Sequence, residues 1–148
     1  MAVIEFAAAV DVRCTPERAF DYFADYRHVA HVLDGVSRWE PIGSRTQGVG
    51  ARYRVEMVAL GLPLKNVLRL DRWRPPEEIG WVSEAGPIKQ RGGFRFRKTE
   101  EGVHIDLGIG YEPPGSFIGV AVAGRLTPLV QRRLEAALDR IRETLELG

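Results

Sequence analysis

The sequence predicts an α+β fold in which a curved antiparallel sheet of seven strands encloses a long C-terminal helix. Two observations predict this fold. Between Val36 and Glu112 apolar and polar residues alternate with the period of a β-strand, and after Gly115 apolar residues recur with the period of an α-helix. The chain has 148 residues, 45% of them apolar and 28% charged, which is ordinary composition for a globular protein. We therefore expect residues 1–148 to form one domain.

The N-terminal segment predicts one strand followed by two short helices. Residues 2–13 contain β-branched residues and are expected to form the first strand. Thr15-Pro16-Glu17 marks a helix start, because threonine can cap free N–H groups, proline suits the first helical position and glutamate favours the positive end of the helix dipole. A second short helix is expected from His28 to Leu33, where Asp34-Gly35 ends it. The apolar face of the first helix consists of Ala19, Phe20 and Phe23.

Six further strands are predicted between Val36 and Glu112, which gives seven with the N-terminal strand. Tyr53, Val55 and Met57 alternate with charged residues, as expected for a strand with one buried face and one exposed face. The same alternation recurs in three later segments. Turn signals separate the strands at residues 48–50, 61–63, 75–76, 86–87 and 101–102. One helix cannot cover such a wide flat sheet, so the sheet should curl around it.

The C-terminal segment predicts a long amphipathic helix that is kinked near Pro128. A proline inside a straight helix costs about 3 kcal/mol, and Thr127-Pro128 repeats the start signal at Thr15-Pro16. We therefore expect a kink or break that divides residues 116–126 from residues 128–146. The apolar stripe that should face the sheet consists of Leu134, Ala137, Leu138, Ile141 and Leu145.

The charge balance gives no reason to expect a nucleic-acid partner. The formal net charge is +1. A basic band on the exposed sheet face is conceivable, but acidic residues are interspersed with it, so a mixed solvated surface is expected. Its arginines are Arg69, Arg72, Arg74, Arg91, Arg95 and Arg97.

Nothing in the sequence predicts secretion or stable insertion into a membrane. The single Cys14 cannot form an internal disulfide, and the start of the chain lacks the pattern of a signal peptide. The longest uncharged apolar stretch, Phe117 to Gly124, is too short to span a bilayer. We expect a cytoplasmic protein that is a monomer or a weak homodimer.

Four segments resemble the START-like (SRPBCC) superfamily, in particular its polyketide cyclase/dehydrase and coenzyme-Q-binding-protein branch. They are residues 10–23, 48–53, 73–81 and 110–115, which correspond to the opening strand and helix, a following strand, the central hairpin and the entry to the last helix. The resemblance implies a helix-grip fold. It implies less about function, because the superfamily includes lipid and quinone carriers, aromatase/cyclases and ribosome-associated regulators. The segment from His28 to Leu33 departs from the family in lacking a tryptophan that is often found there.

The alternation and the resemblance together predict an apolar cavity between the sheet and the C-terminal helix. An apolar wall with a few polar groups is the usual composition of a small-molecule site. The predicted ligand-binding residues are Tyr53, Val55, Met57, Asn66, Leu68, Trp81, Ser83, Phe94, Phe96, Ile105, Leu107, Ile109, Phe117, Val120, Ala121 and Gly124.

Asn66 and Ser83 are the polar exceptions on the predicted wall. A buried amide or hydroxyl without a partner costs about 1–3 kcal/mol, so each should bond a neighbour, the backbone or a ligand. Tyr53 and Tyr111 are further candidates for binding a ligand oxygen.

We expect no metal site, no cofactor and no catalytic residue. Asp25, His28, His31 and Asp34 recur every three residues and could bind zinc, but this spacing drifts around a helix and a break is expected near Asp25. No nucleophile elbow, zinc-protease motif or phosphate-binding loop is present in the sequence.

Three functions remain compatible with the sequence. The first is a carrier or sensor of a hydrophobic small molecule such as a lipid, an isoprenoid, a quinone or a polyketide. The alternative is an aromatase/cyclase-type enzyme that acts on a polyketide, for which Tyr53, Asn66 and Tyr111 would have to supply the polar groups. The third is a protein- or ribosome-interaction module with a vestigial pocket. The lack of an inward-facing acid or base favours binding over catalysis.

Overall fold

The computed structural model describes residues 4–32, 36–59, 62–86, 89–112 and 117–147, and it contains the seven predicted strands. The side chains of residues 57–59, 62–64 and 117–130, and those of Ile4, His31, Val32 and Tyr111, lie outside the described part. In chain order the elements are β1 (Ile4–Val12), α1 (Pro16–Ala24), α2 (Tyr26–Val32), β2 (Val36–Ile42), β3 (Arg52–Ala59), β4 (Leu62–Arg74), β5 (Glu78–Ala85), β6 (Lys89–Lys98), β7 (Val103–Glu112) and α3 (Phe117–Leu147).

The strands form one antiparallel sheet in the order β1-β7-β6-β5-β4-β3-β2. Six strands follow each other as neighbours, and β1 joins the last of them, so β1 and β2 are the two edges. The sheet is curled, as predicted, and carries α1, α2 and α3 on its concave side, which is the START-like helix-grip arrangement. Strand β4 contains a bulge between Leu70 and Arg72, which turns Arg72 outward and Trp73 inward.

Helix α1 begins where the sequence predicts. Thr15 Oγ1 accepts a hydrogen bond from the Arg18 N–H at 3.1 Å, and Pro16 occupies the first turn. The helix ends at Asp25, whose backbone is extended, and α2 follows at once. Helix α2 begins at Tyr26, two residues before the predicted start at His28.

Helix α3 is continuous from Phe117 to Leu147, so the predicted division into two helices at Pro128 is wrong. Tertiary context overrides the local cost of the proline here, as it often overrides propensity. A bend of the axis at Pro128 stays a prediction. The predicted stripe is confirmed, because all five of its members are buried: Leu134, Ala137, Leu138, Ile141 and Leu145.

Two polar side chains of α3 bond the free edge of β1. The Gln131 carboxamide binds both backbone groups of Ala7, since its Nε2 donates to the Ala7 carbonyl and its Oε1 accepts from the Ala7 N–H at 3.3 Å. Glu146 Oε2 accepts from the Arg13 N–H at 2.9 Å. Fifteen helical residues and six strand residues both span about 20 Å, so the helix and the strand run side by side. These bonds cover backbone groups that would otherwise attract another strand.

The convex face of the sheet has charges of both signs. Strand β6 presents a row of basic residues, and acidic residues of β5 and β7 lie opposite several of them, as in the pairs Arg95 with Asp106 and Lys89 with Glu112. Across β4, Arg52 of β3 binds Glu84 of β5 in a bidentate pair at 2.8 and 2.9 Å. The mixed surface that the sequence predicts is therefore present. Within the described residues no helix is both long enough and apolar enough to cross a bilayer.

His104 on β7 should make the stability of the protein depend on pH. Its Nδ1 lies 2.7 Å from Asp11 Oδ1 and its Nε2 lies 3.2 Å from Asp106 Oδ1. The hydrogen bond to Asp11 raises the pKa of His104 above its ordinary value of 6.5. The charged imidazole therefore stabilises the folded state fully below the unfolded pKa, and this contribution is lost as the pH rises through the folded pKa.

We expect His104→Gln to lower the free energy of unfolding at pH 5.5 by up to about 1 kcal/mol, the usual size for an exposed pair. The difference from the parent protein should shrink as the pH rises above 6.5. Urea denaturation at a series of pH values measures it. A difference that is the same at pH 5.5 and pH 9 would contradict the role of the charge.

Candidate functional site

The concave face of the sheet is a nearly continuous apolar wall. All of the predicted wall residues whose side chains are described are buried, except Ser83, which is half-buried. The buried ones are Tyr53, Val55, Asn66, Leu68, Trp81, Phe94, Phe96, Ile105, Leu107 and Ile109. The side chains of Met57, Phe117, Val120, Ala121 and Gly124 lie outside the described part, so their predicted place on the wall stays a prediction.

One end of this wall is filled by helix α1. The Phe23 ring stacks on Phe94 with centroids 4.2 Å apart, and Phe20 makes edge contacts with Trp73 and Phe96 at 5.1 and 5.8 Å. Aromatic pairs at these distances add to the stability gained from burying their surface. We call this the closed end of the concave face.

A small cavity remains between the closed end and helix α2. Its volume is about 20 Å³, which is room for about one water molecule. It is therefore too small for a lipid or a polyketide. It is lined by Phe23, Ala24, Tyr26, Val29, Trp39, Tyr53, Leu70, Trp73, Ile79, Trp81 and Phe94.

Three buried side chains on the concave face have polar atoms without a hydrogen-bond partner among the described residues. They are the indole N–H groups of Trp39 and Trp81 and both polar atoms of the Asn66 carboxamide. Asn66 is only 2% exposed. Most buried polar groups in folded proteins are bonded, so three such residues on one face call for an explanation.

Two of the other predicted polar residues, Ser83 and Tyr53, are already bonded, and the side chain of Tyr111 lies outside the described part. Ser83 Oγ accepts from the Gln90 N–H at 2.9 Å, across the gap between β5 and β6. The Tyr53 hydroxyl donates to the Thr46 carbonyl, and burial raises the pKa of Tyr53 to about 12. Among the predicted polar residues with described side chains, Asn66 is thus the one that has no hydrogen-bond partner.

Two of the four candidate metal ligands, Asp25 and His28, bond neighbouring residues. Arg27 Nε donates to Asp25 Oδ1 at 2.9 Å, and this hydrogen bond lowers the pKa of Asp25 to about 2. His28 Nδ1 lies 2.6 Å from the Tyr22 carbonyl, and its ring stacks on Tyr22 at 4.0 Å. The side chain of His31 and residue Asp34 lie outside the described part. Within that part, no cluster of three or more histidine, cysteine, aspartate or glutamate residues could hold a metal.

Among the strand residues that line the small cavity, sequence reasoning missed four, namely Trp39, Leu70, Trp73 and Ile79. Leu70 and Ile79 continue the alternation of predicted wall residues and could have been found from it. Trp39 had no such signal, because β2 shows a weak alternation in which Trp39 alone is buried. Its place on the concave face depends on its pairing with Val55 in β3.

Comparison with known proteins gives one family and a set of structural neighbours. A family model described as polyketide cyclase/dehydrase and lipid transport matches residues 3–146. A comparison with curated proteins gives no significant match.

Three solved structures illustrate the likeness of fold. TTHA0849 from Thermus thermophilus is 22% identical with a TM-score of 0.78, and the match covers 96% of this chain and 97% of that chain. DR_A0006 from Deinococcus radiodurans is 19% identical with a TM-score of 0.75, and the match covers 98% of both chains. The Aha1 dimer from Colwellia psychrerythraea is 10% identical with a TM-score of 0.61, again over 98% of both chains. At these identities the likeness concerns the fold alone.

Proposed function

Since the chain belongs to the polyketide cyclase/dehydrase and lipid transport family, we propose that it binds a small hydrophobic molecule on the concave face of its sheet and acts as a carrier or sensor. Lipids, isoprenoids, quinones and polyketide-like molecules fit this description. The observation that carries the proposal is the set of unpartnered polar groups on an otherwise apolar wall, at Trp39, Asn66 and Trp81. An oxygen of a bound ligand would supply a hydrogen bond that the Asn66 carboxamide lacks.

The proposed ligand space lies at the Asn66 end of the wall. The opposite end is filled by the aromatic side chains of α1, and the cavity beside α2 has room for about one water molecule. Asn66 lies beside Val55, which is 1% exposed, so an apolar surface continues from the amide into the wall. The predicted residues Phe117, Val120, Ala121 and Gly124 would complete the enclosure from α3.

An aromatase/cyclase-type enzyme remains the alternative, and a protein-interaction module with a vestigial pocket is the third hypothesis. Of the residues named for catalysis, Tyr53 donates a hydrogen bond to a backbone carbonyl, and burial raises its pKa to about 12, which makes it a poor proton donor at neutral pH. Turnover of a poly-β-keto substrate that is lost in Asn66→Leu would favour the enzyme.

We expect the protein, purified from its own host, to carry a hydrophobic molecule that native mass spectrometry detects. Its thermal midpoint should rise with part of a hydrophobic compound panel, because a ligand that binds only the folded state stabilises it. A consistently empty protein with no thermal shift across the panel would contradict the proposal.

A matched pair of variants tests where the ligand binds. Val55→Phe places a phenyl ring on the concave face beside Asn66, whereas Val67→Phe places a phenyl ring on the convex side of β4. Val55→Phe should reduce the ligand-induced thermal shift and Val67→Phe should leave it unchanged. Equal shifts in the two variants would exclude this part of the wall.

A further inference from the structure

Strands β5 and β6 separate before they end. The last pair that joins them is Val82 with Arg91. Beyond this pair β5 continues along β4 as far as Ala85, while β6 begins at Lys89 beside β7. The sheet is therefore split at this end, and we call the space between the two strands the β5–β6 fork.

The β5–β6 fork contains an open groove of about 580 Å³, which is within the size range of small-molecule sites. Its lining includes residues from both faces of the sheet. Ser83 and Gln90 belong to the concave side, whereas Glu84, Arg91 and Glu112 belong to the convex side. Most of the lining belongs to the convex side, so the groove opens on that surface and reaches the concave side at Ser83 and Gln90.

Asn66 lies directly behind this groove. Gly86 lines the groove, and its backbone has a φ of +124°, a conformation that residues other than glycine rarely adopt. A Cβ atom at Gly86 would overlap Asn66 Oδ1, so the carboxamide packs against the glycine backbone. An unpartnered and almost completely buried amide therefore lies next to the groove, with the Gly86 backbone between them.

We infer that the β5–β6 fork binds the polar end of the ligand and that Asn66 is its hydrogen-bond partner. This inference rests on the proposed function and names the ligand class, which is a hydrophobic molecule that ends in an uncharged hydroxyl or carbonyl group. A carboxamide offers both a donor and an acceptor, and it therefore suits either group.

The charges around the fork agree with an uncharged polar end. The groove is lined by three carboxylates, Glu5, Glu84 and Glu112, and by two cations, Lys89 and Arg91. Glu84 is already bound by Arg52, and Lys89 lies opposite Glu112 in the register of β6 and β7. The rim is thus close to neutral and gives neither an anion nor a cation a strong advantage.

Four naphthalene compounds test the inference: naphthalene, 2-naphthol, 2-acetylnaphthalene and 2-naphthoate. Isothermal titration calorimetry compares their affinities for the parent protein and for Asn66→Leu, which has nearly the same volume and no polar atom. The parent should bind the hydroxyl and carbonyl compounds about tenfold more tightly than naphthalene, the usual effect of one buried hydrogen bond. The charged 2-naphthoate should bind no more tightly than naphthalene.

In Asn66→Leu the tenfold preference should fall to about onefold, while naphthalene binds as before. The variant should also melt about 2–6 °C higher, because it removes a buried polar group that has no partner. Ala85→Trp, which fills the groove from its exposed rim, should weaken the binding of 2-naphthol.

Two results would overturn the inference in different ways. If the parent binds naphthalene but shows no preference for the oxygen compounds, or if Asn66→Leu keeps the preference, the fork is not the polar subsite and the proposed function stands. If the parent binds none of the four compounds, the proposed function fails for this class of ligand and the inference fails with it.

Discussion

Phe23→Ala is expected to lower the free energy of unfolding by about 3–5 kcal/mol, the range for removing a buried aromatic ring. Phe23 is 2% exposed and stacks on Phe94 at 4.2 Å, with Phe96 at 5.7 Å. Phe94 and Phe96 belong to β6, which cannot move toward α1 without disrupting the sheet. The cavity left by the missing Phe23 ring should therefore remain open. Urea denaturation followed by circular dichroism measures the loss.

Asp21→Ala, on the exposed face of the same helix, is the matched control and should change stability by less than about 0.5 kcal/mol. The comparison bears on function as well as on stability. If Phe23→Ala costs less than about 1 kcal/mol, the closed end is loosely packed, and ligand space could extend toward α1 instead of lying only at the Asn66 end.

The sequence was sufficient to predict the elements whose identity depends on local pattern. The stripe from Leu134 to Leu145 follows from helical spacing alone, and all five members are buried. The start of α1 follows from Thr15 and Pro16, because a cap and a first-turn proline act within a few residues of each other. Of the kink or break predicted at Pro128 only the break is excluded, because α3 is continuous, and α3 is also bonded to β1 through Gln131.

The candidate site was less predictable because it depends on how strands pair. The alternation placed Asn66 on the buried face, but it could not show that Ser83 would bond the Gln90 N–H and leave Asn66 unpartnered. The turn signal at residues 86–87 predicts where β5 ends, but nothing local predicts that β5 and β6 separate before that turn. The β5–β6 fork exists because Ala85 pairs with β4 while Lys89 pairs with β7, and both partners are far away in sequence.

Pairing also creates a row of glycines across the convex face, and this row gives the last prediction. Gly80, Gly93 and Gly108 lie side by side on β5, β6 and β7. The Arg72 side chain of β4 lies over Gly80, donating to Glu78 Oε2 at 3.0 Å and to the Gly92 carbonyl at 2.7 Å. A Cβ at Gly80 would overlap this guanidinium, so the row leaves space for a buried ion pair.

Gly93→Ala should lower the free energy of unfolding by about 2 kcal/mol, within the usual range for overpacking. Its Cβ would lie 2.6 Å from the Ile79 carbonyl oxygen and 3.0 Å from the Gly80 Cα. Both are backbone atoms of the paired strand, so neither can move away without shifting β5.

Gly108, which lies beside Gly93 on β7, has free space around it, because a Cβ there would meet nothing within 4 Å. Gly108→Ala should therefore be neutral or stabilising by up to about 1 kcal/mol, since alanine loses less backbone entropy on folding.

The two substitutions are matched in chemistry, in the row they occupy and in lying outside the left-handed backbone region. Denaturant titration of both should therefore give a difference of roughly 2–3 kcal/mol that arises from the close approach of β5 to β6 alone. Equal effects would mean that the two strands can separate at Gly93 without loss of stability. The separation of β5 from β6 would then extend toward the middle of the sheet, into the segment from Glu78 to Val82 where the two strands are paired. The groove proposed to bind the polar end of the ligand would be correspondingly longer.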